Sequence, residues 1–241
     1  ERQMTSYPPA WPHGELKEIF TNIFFVMGTN ITTYEGVELQ HSRNMVVIKN
    51  DEELTLINTV KLGEDGLAAL DKLGKVTHVI RIGAFHGRDD AFYLDRYSAN
   101  LWALQGMEHE NNRITDIELI PGDSLPFPNG SLFLFETSIH PEGILHLHQE
   151  DGILICCDSI KNWVSADPYF SEETAKLYES LGFFGEATIS QIWQQACKVK
   201  IEDFERLKQL KFKHLISAHG MPLMKNADDA LKKTLKNEFN I

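Results

Sequence analysis

Short apolar runs separated by turn residues dominate the first two thirds of this chain, and that pattern restricts it to a sheet-based fold. Strand-like runs stand at Asn22 to Met27, Asn44 to Lys49, Leu54 to Val60 and Val76 to Ile82. Their length and β-branched content suit strands. Between the third and fourth, Leu67, Leu70 and Leu73 recur at helical spacing before Gly74, so residues 64–73 are expected to form a helix stopped by glycine. A second group of strands is expected at Asp116 to Ile120, Leu132 to Glu136, Ile144 to His148 and Ile153 to Cys157. Helical periodicity follows at Glu172 to Leu181, Ile189 to Cys197 and Ile201 to Leu210, then a strand at His214 to Ser217 and a helix at Ala227 to Phe239.

Two strand groups, each followed by helices, predict an α/β (α+β) sandwich with two sheets inside and helices outside. A doubly wound parallel sheet fits less well, because runs of short strands without intervening helices favour hairpins and antiparallel pairing. With 241 residues the chain has the length of one large domain, and residues 1–241 are expected to form a single unit behind a Pro-rich lead-in over residues 1–20.

A formal net charge of -12 argues against a general nucleic-acid binder, which needs clustered Lys and Arg. No apolar stretch of membrane-spanning length occurs, and Glu1 to Phe20 lacks the apolar core of a signal peptide. Cys156, Cys157 and Cys197 form an odd set with one adjacent pair, poor material for a disulfide framework. Reduced thiols and a cytoplasmic location are therefore expected.

Histidines and aspartates collect just after the strands. His86 and Asp90 follow the strand ending at Ile82, His140 follows Glu136, Asp158 follows Cys157, and His219 follows Ser217. Loops at strand ends are where a rigid scaffold presents binding and catalytic groups. Imidazole and carboxylate together suit zinc, iron or manganese.

In order and spacing, residues 44–220 resemble the metallo-β-lactamase superfamily. The matching pieces are Leu56-Ile57-Asn58-Thr59, the helix over 64–73, His86-Gly87-Arg88-Asp89-Asp90-Ala91, His140-Pro141-Glu142-Gly143, Cys157-Asp158 and Ala218-His219-Gly220. The resemblance implies a four-layer αβ/βα sandwich with a metal site at one edge. It also implies metal-ligand roles for His86, Asp90, His140, Asp158 and His219. The family motif is His-x-His-x-Asp-His, and here Arg88 and Ala91 occupy two of its histidine positions. Each of the family's two metal sites thereby loses one nitrogen ligand, which reduces the expected cofactor to one divalent ion, zinc or iron, or none. A guanidinium has no lone pair, so Arg88 does not replace a ligand.

Two chemistries follow. In one, a single ion held by His140, Asp158 and His219, with His86 or Asp90, activates a water that attacks an ester, lactone, thioester or amide, with Asp90 orienting that water or taking its proton. In the other, Arg88 fills the space of the lost ion, pairs with Asp158 or Asp90, and binds a small anionic ligand without turnover. Either way the partner is a small molecule. Trp163, Tyr169, Phe170, Phe183 and Phe184, after Asp158, serve equally as a pocket wall or as packing. His146 and His148 alternate on one strand face and read as half-exposed strand residues.

Overall fold

The computed structural model describes residues 6–241. Its first sheet starts with β1 (Lys17–Phe20), then β2 (Ile23–Tyr34), β3 (Val37–Asn50) and β4 (Glu53–Ile57), all paired antiparallel. Helix α1 (Glu64–Leu73) crosses back to β5 (Lys75–Arg81), and α2 (Asp90–Tyr97) to β6 (Asn100–Leu104), with β7 (Ile117–Leu119) at the edge. From β4 onward this sheet is parallel, as strand-helix-strand crossovers require. The antiparallel pairing favoured by the sequence holds for half of this sheet, and the strand-helix-strand unit over residues 54–82 belongs to its parallel half.

The second sheet is built from β8 (Gly130–Leu134), β9 (Gly143–Leu147) and β10 (Ile153–Cys156). A two-stranded ribbon, β11 (Ile160–Lys161) with β12 (Thr188–Ile189), carries α3 (Glu172–Ser180) in its connection. Then come α4 (Gln191–Cys197), α5 (Ile201–Lys208), β13 (His214–Ser217) and α6 (Ala227–Phe239). The order is β13-β10-β9-β8, with β13 parallel to β10.

Three apolar clusters define four layers. One lies between the sheets, where Ile23, Phe25, Ile80 and Trp102 meet Leu145, Ile153, Ile155 and Ile216. Alternate residues of the same strands point outward, as the pleat demands. On the first sheet Val26, Val47, Leu56 and Val79 pack against Leu67 and Leu70 of α1 and Tyr93 of α2. On the second, Ile144, Leu154 and Leu215 pack against Trp193, Phe204, Leu231 and Leu235. This is the αβ/βα sandwich expected from the sequence, with helices outside both sheets.

Sequence reading missed β1, α2, β6 and the β11–β12 ribbon, and saw only one end of β2 and β3. Beyond Thr29 those two strands carry polar residues and extend as an exposed ribbon closed by Glu35 and Gly36, both at positive φ (50° and 79°). Among the described residues no helix is long and apolar enough to cross a membrane. All three cysteines are buried and unpaired.

Candidate metal centre

Three loops at one edge of the sandwich bring together His86, Asp158 and His219. The loop after β5 supplies His86, the end of β10 supplies Asp158, and the end of the neighbouring parallel strand β13 supplies His219. His86 Nε2 and His219 Nε2 each lie 2.9 Å from Asp158 Oδ1, and 3.2 Å from each other. The carboxylate and His219 are buried, and His86 is nearly so.

The protonation of His219 follows from its other nitrogen. Nδ1 lies 3.0 Å from the Ser42 carbonyl oxygen, which can only accept, so Nδ1 carries the hydrogen and Nε2 presents a lone pair. Burial lowers the His219 pKa to about 4, which keeps the ring neutral at pH 7. Burial by itself would raise Asp158, but the two imidazoles beside it, His86 first and then His219, hold it well below the usual carboxylate range. A lone pair on His219 Nε2 thus faces a carboxylate oxygen at contact distance, and His86 Nε2 converges on the same point. Two acceptors in contact repel unless a proton or a cation sits among them. Donor atoms bound to one zinc or iron at about 2.0–2.2 Å lie roughly 3 Å apart, so the donor set fits a single ion in the two-histidine, one-carboxylate manner.

Asp90 is four residues from His86, at the start of α2. Its Oδ1 accepts from the Thr59 hydroxyl at 2.6 Å, whereas Oδ2 is buried with no partner among the described residues. Burial raises its pKa, against the Thr59 hydrogen bond and the charge of Arg81. His140 is not brought to the other four: it is exposed, and its ring packs edge-on against Phe85 at 5.5 Å. The turn after β8 carries its side chain outward, so the triad draws its second imidazole from His86.

Arg88 also differs from expectation. It pairs with Asp89 Oδ1 at 3.0 Å, donates to the Pro9 carbonyl at 3.2 Å, and lies over the Trp11 ring at 3.6 Å, in place of the expected contact with Asp158 or Asp90. The cause is Asp89, fully buried, which also takes Arg43 Nη2 and, at 2.8 Å, the Lys61 amide. Two guanidinium groups and an amide around one buried carboxylate leave Arg88 held by its own neighbour and by the lead-in.

Several further residues surround the triad: the aromatic run after Asp158 was expected as wall or packing, whereas His41, Ser42 and Lys161 carried no usable sequence signal. The Ser42 carbonyl also faces His41 Nδ1 at 3.0 Å, and burial pushes His41 down to about 3. The Ser42 hydroxyl donates to Asp167 and accepts from Trp163 Nε1. Trp163 is buried with its ring centroid 4.6 Å from that of His219, and Phe170 packs edge-on behind it at 5.3 Å, so the aromatic run both packs the ribbon and backs the site. Lys161 lies over Trp163 and its charge reaches both His219 and His41. The Cys157 Sγ lies within 4.8 Å of the His86 and Asp158 donor atoms, but burial raises its pKa well above the ordinary thiol value, leaving a neutral thiol. A carboxyl at Glu142 is wholly buried beneath Asp158, and burial followed by the Asp158 charge pushes its pKa well up. A backbone carbonyl such as that of Ser42 leaves no trace in sequence. His146 and His148 are each hydrogen-bonded elsewhere, to the Lys211 carbonyl and the Ser131 hydroxyl.

No protein-family model matches the chain, and no curated relative matches it. Solved structures do. The chain superposes on the DIM-1 metallo-β-lactamase exposed to ceftazidime with a TM-score of 0.61 at 15% identity, covering 95% of this chain and 99% of that one. The metallo-β-lactamase FIM-1 from Pseudomonas aeruginosa, in its mono-zinc form, gives 0.59 at 12% identity, with 95% and 97% covered. A metallo-β-lactamase from Hirschia baltica gives 0.58 at 11%, with 91% and 96% covered. These similarities establish the metallo-β-lactamase fold over nearly the whole chain.

Proposed function

With that fold as premise, we propose that the protein is a metal-dependent hydrolase of a small-molecule ester, lactone, thioester or amide, built around one divalent ion, zinc or iron, held by His86, Asp158 and His219. What supports the reading above all is the convergence of two imidazole nitrogens and a carboxylate oxygen within 2.9–3.2 Å, with the His219 lone pair turned inward by the Ser42 carbonyl. The fold neighbour in a mono-zinc form is a protein in which this architecture holds one zinc. An ion so bound would lower the pKa of a bound water toward about 7 and polarise a carbonyl.

The chain's own residues supply the rest. Asp90 Oδ2, buried and without a partner among the described residues, accepts a proton from a water, and its raised pKa makes it a better base than an ordinary aspartate. Thr59 fixes the carboxyl by holding Oδ1. Lys161 supplies positive charge for an anionic group of the substrate or for the oxygen that gains charge during attack. Trp163 and Phe170 close the side behind His219 and limit water entry there.

The test is metal content after purification without chelator, under zinc, iron and manganese supplements, for the unmodified protein beside His219→Ala and Asp158→Ala. Near-stoichiometric metal lost in both variants is expected, together with turnover of at least one member of an ester and thioester panel that Asp90→Asn abolishes. Absence of stoichiometric metal under every supplement would overturn the proposal.

A further inference from the structure

A buried carboxyl with no part in the chemistry above stands directly behind the triad. Glu142 is 1% exposed. Its Oε1 accepts the backbone N–H of Asp158 at 3.0 Å, and the Ser159 amide and the Trp193 indole also face the buried carboxyl. An apolar residue would fill the same space at lower desolvation cost, so a carboxyl here calls for a reason.

The backbone around Glu142 is clamped at the seam between the two sheets. Its carbonyl accepts from Phe135 N at 3.0 Å, where β8 ends. On either side, Ala84 N donates to the Pro141 carbonyl at 3.0 Å and Gly143 N to the Ile82 carbonyl at 2.8 Å. Those bonds tie residue 142 to the segment that leads from β5 into His86. Room for the side chain comes from Gly83: a Cβ there would sit 2.3 Å from Cys157 Sγ and 3.2 Å from Glu142 Oε2. The carboxyl therefore reaches past a bare backbone to the end of β10. One side chain links the approach to His86, the end of β8 and the amide of Asp158.

We infer that Glu142 is a positioning residue: by accepting the Asp158 N–H from a seam anchored to the His86 loop, it fixes the distance between the Asp158 carboxylate and His86. This rests on the metal-site reading for its consequence but not for its geometry. Groups that orient metal ligands from behind typically change metal affinity by about 10- to 100-fold when lost.

The test compares Glu142→Leu, which conserves volume and removes the acceptor, with Glu142→Gln, which keeps an oxygen for the Asp158 amide. In the metal-free protein, amide hydrogen exchange at Asp158 is expected to quicken about tenfold or more in the Leu variant and to stay near the unmodified rate in the Gln variant. Amides of the central strands β2 and β3 should hold their protection in both. Titration with Co(II) is expected to show affinity reduced about 10- to 100-fold, with an altered visible spectrum, in the Leu variant and recovery in the Gln variant. If Asp158 exchange is unchanged in Glu142→Leu, or rises only in step with every other amide, the inference is overturned. Should the unmodified protein bind no Co(II), the metal reading fails while the exchange experiment still decides the role of Glu142. Equal Co(II) affinity and spectrum in the unmodified and Leu proteins would overturn the inference and leave the metal reading standing.

Discussion

Replacing Asp89 with alanine tests how the position of Arg88 is set. Its carboxylate is fully buried and takes three donors: Arg43, Arg88 at 3.0 Å, and the Lys61 amide at 2.8 Å. Removing it leaves the Arg43 guanidinium, 7% exposed, without its partner, a loss that costs about 3–5 kcal/mol when a buried pair is broken from one side. The orphaned Lys61 N–H adds about 1 kcal/mol or more. Arg88, at 22% exposure, regains water and offsets part of this, so a net loss of about 4 kcal/mol is expected. That is a large share of a typical domain stability of roughly 5–15 kcal/mol. With a urea slope of about 3 kcal/mol/M for a chain of this size, the unfolding midpoint should fall by a little over 1 M. Far-UV circular dichroism in urea reads it directly. A midpoint shift equivalent to less than about 1 kcal/mol would refute the idea that a buried ion cluster, rather than the ligand site, holds Arg88.

Trp11→Ala should remove the cation–π contact to Arg88 and lower stability by about 0.5–2 kcal/mol, read as a drop in thermal midpoint with little change in metal content. Gly220 follows His219 at φ 94°, and a Cβ there would lie 2.0 Å from the Asn162 carbonyl, so Gly220→Ala is expected to cost more than about 2 kcal/mol and to displace His219; unchanged stability would show that the loop relaxes. His41 has its pKa lowered to about 3, so between pH 6.5 and 3 the unfolded chain binds a proton that the folded one refuses, and stability falls as pH falls. Relative to His41→Phe, the unmodified protein should therefore lose about 2 kcal/mol between pH 7 and pH 5, measured by denaturation at each pH; a pH-independent difference would mean that His41 titrates normally.

The sandwich was legible because its strands bury alternate or continuous apolar faces: Val76 to Ile82 and Ile153 to Cys157 announce central strands without any knowledge of their neighbours. The strand-end placement of His86, Asp158 and His219 was legible for the same reason, since the loop residue after each buried strand is fixed by counting. Segments stabilised by tertiary contact left little trace. The eight residues of α2 show a weak apolar stripe and hold through Tyr93 and Leu94, and the outer half of the β2–β3 ribbon carries polar residues on both faces.

Composition and order alone determined the class of fold and the strand-end loops in which His86, Asp158 and His219 stand. Tertiary structure decided which donors meet. His140 turns outward to Phe85 while His86 turns in, Arg88 goes to Asp89 and Trp11, the Ser42 carbonyl chooses the His219 tautomer, and Glu142 reaches the Asp158 amide from the start of the adjacent strand. Side-chain direction and backbone acceptors depend on what lies across the chain, 16 residues away for the Glu142–Asp158 bond and 177 for the His219–Ser42 contact, and a one-dimensional pattern records neither.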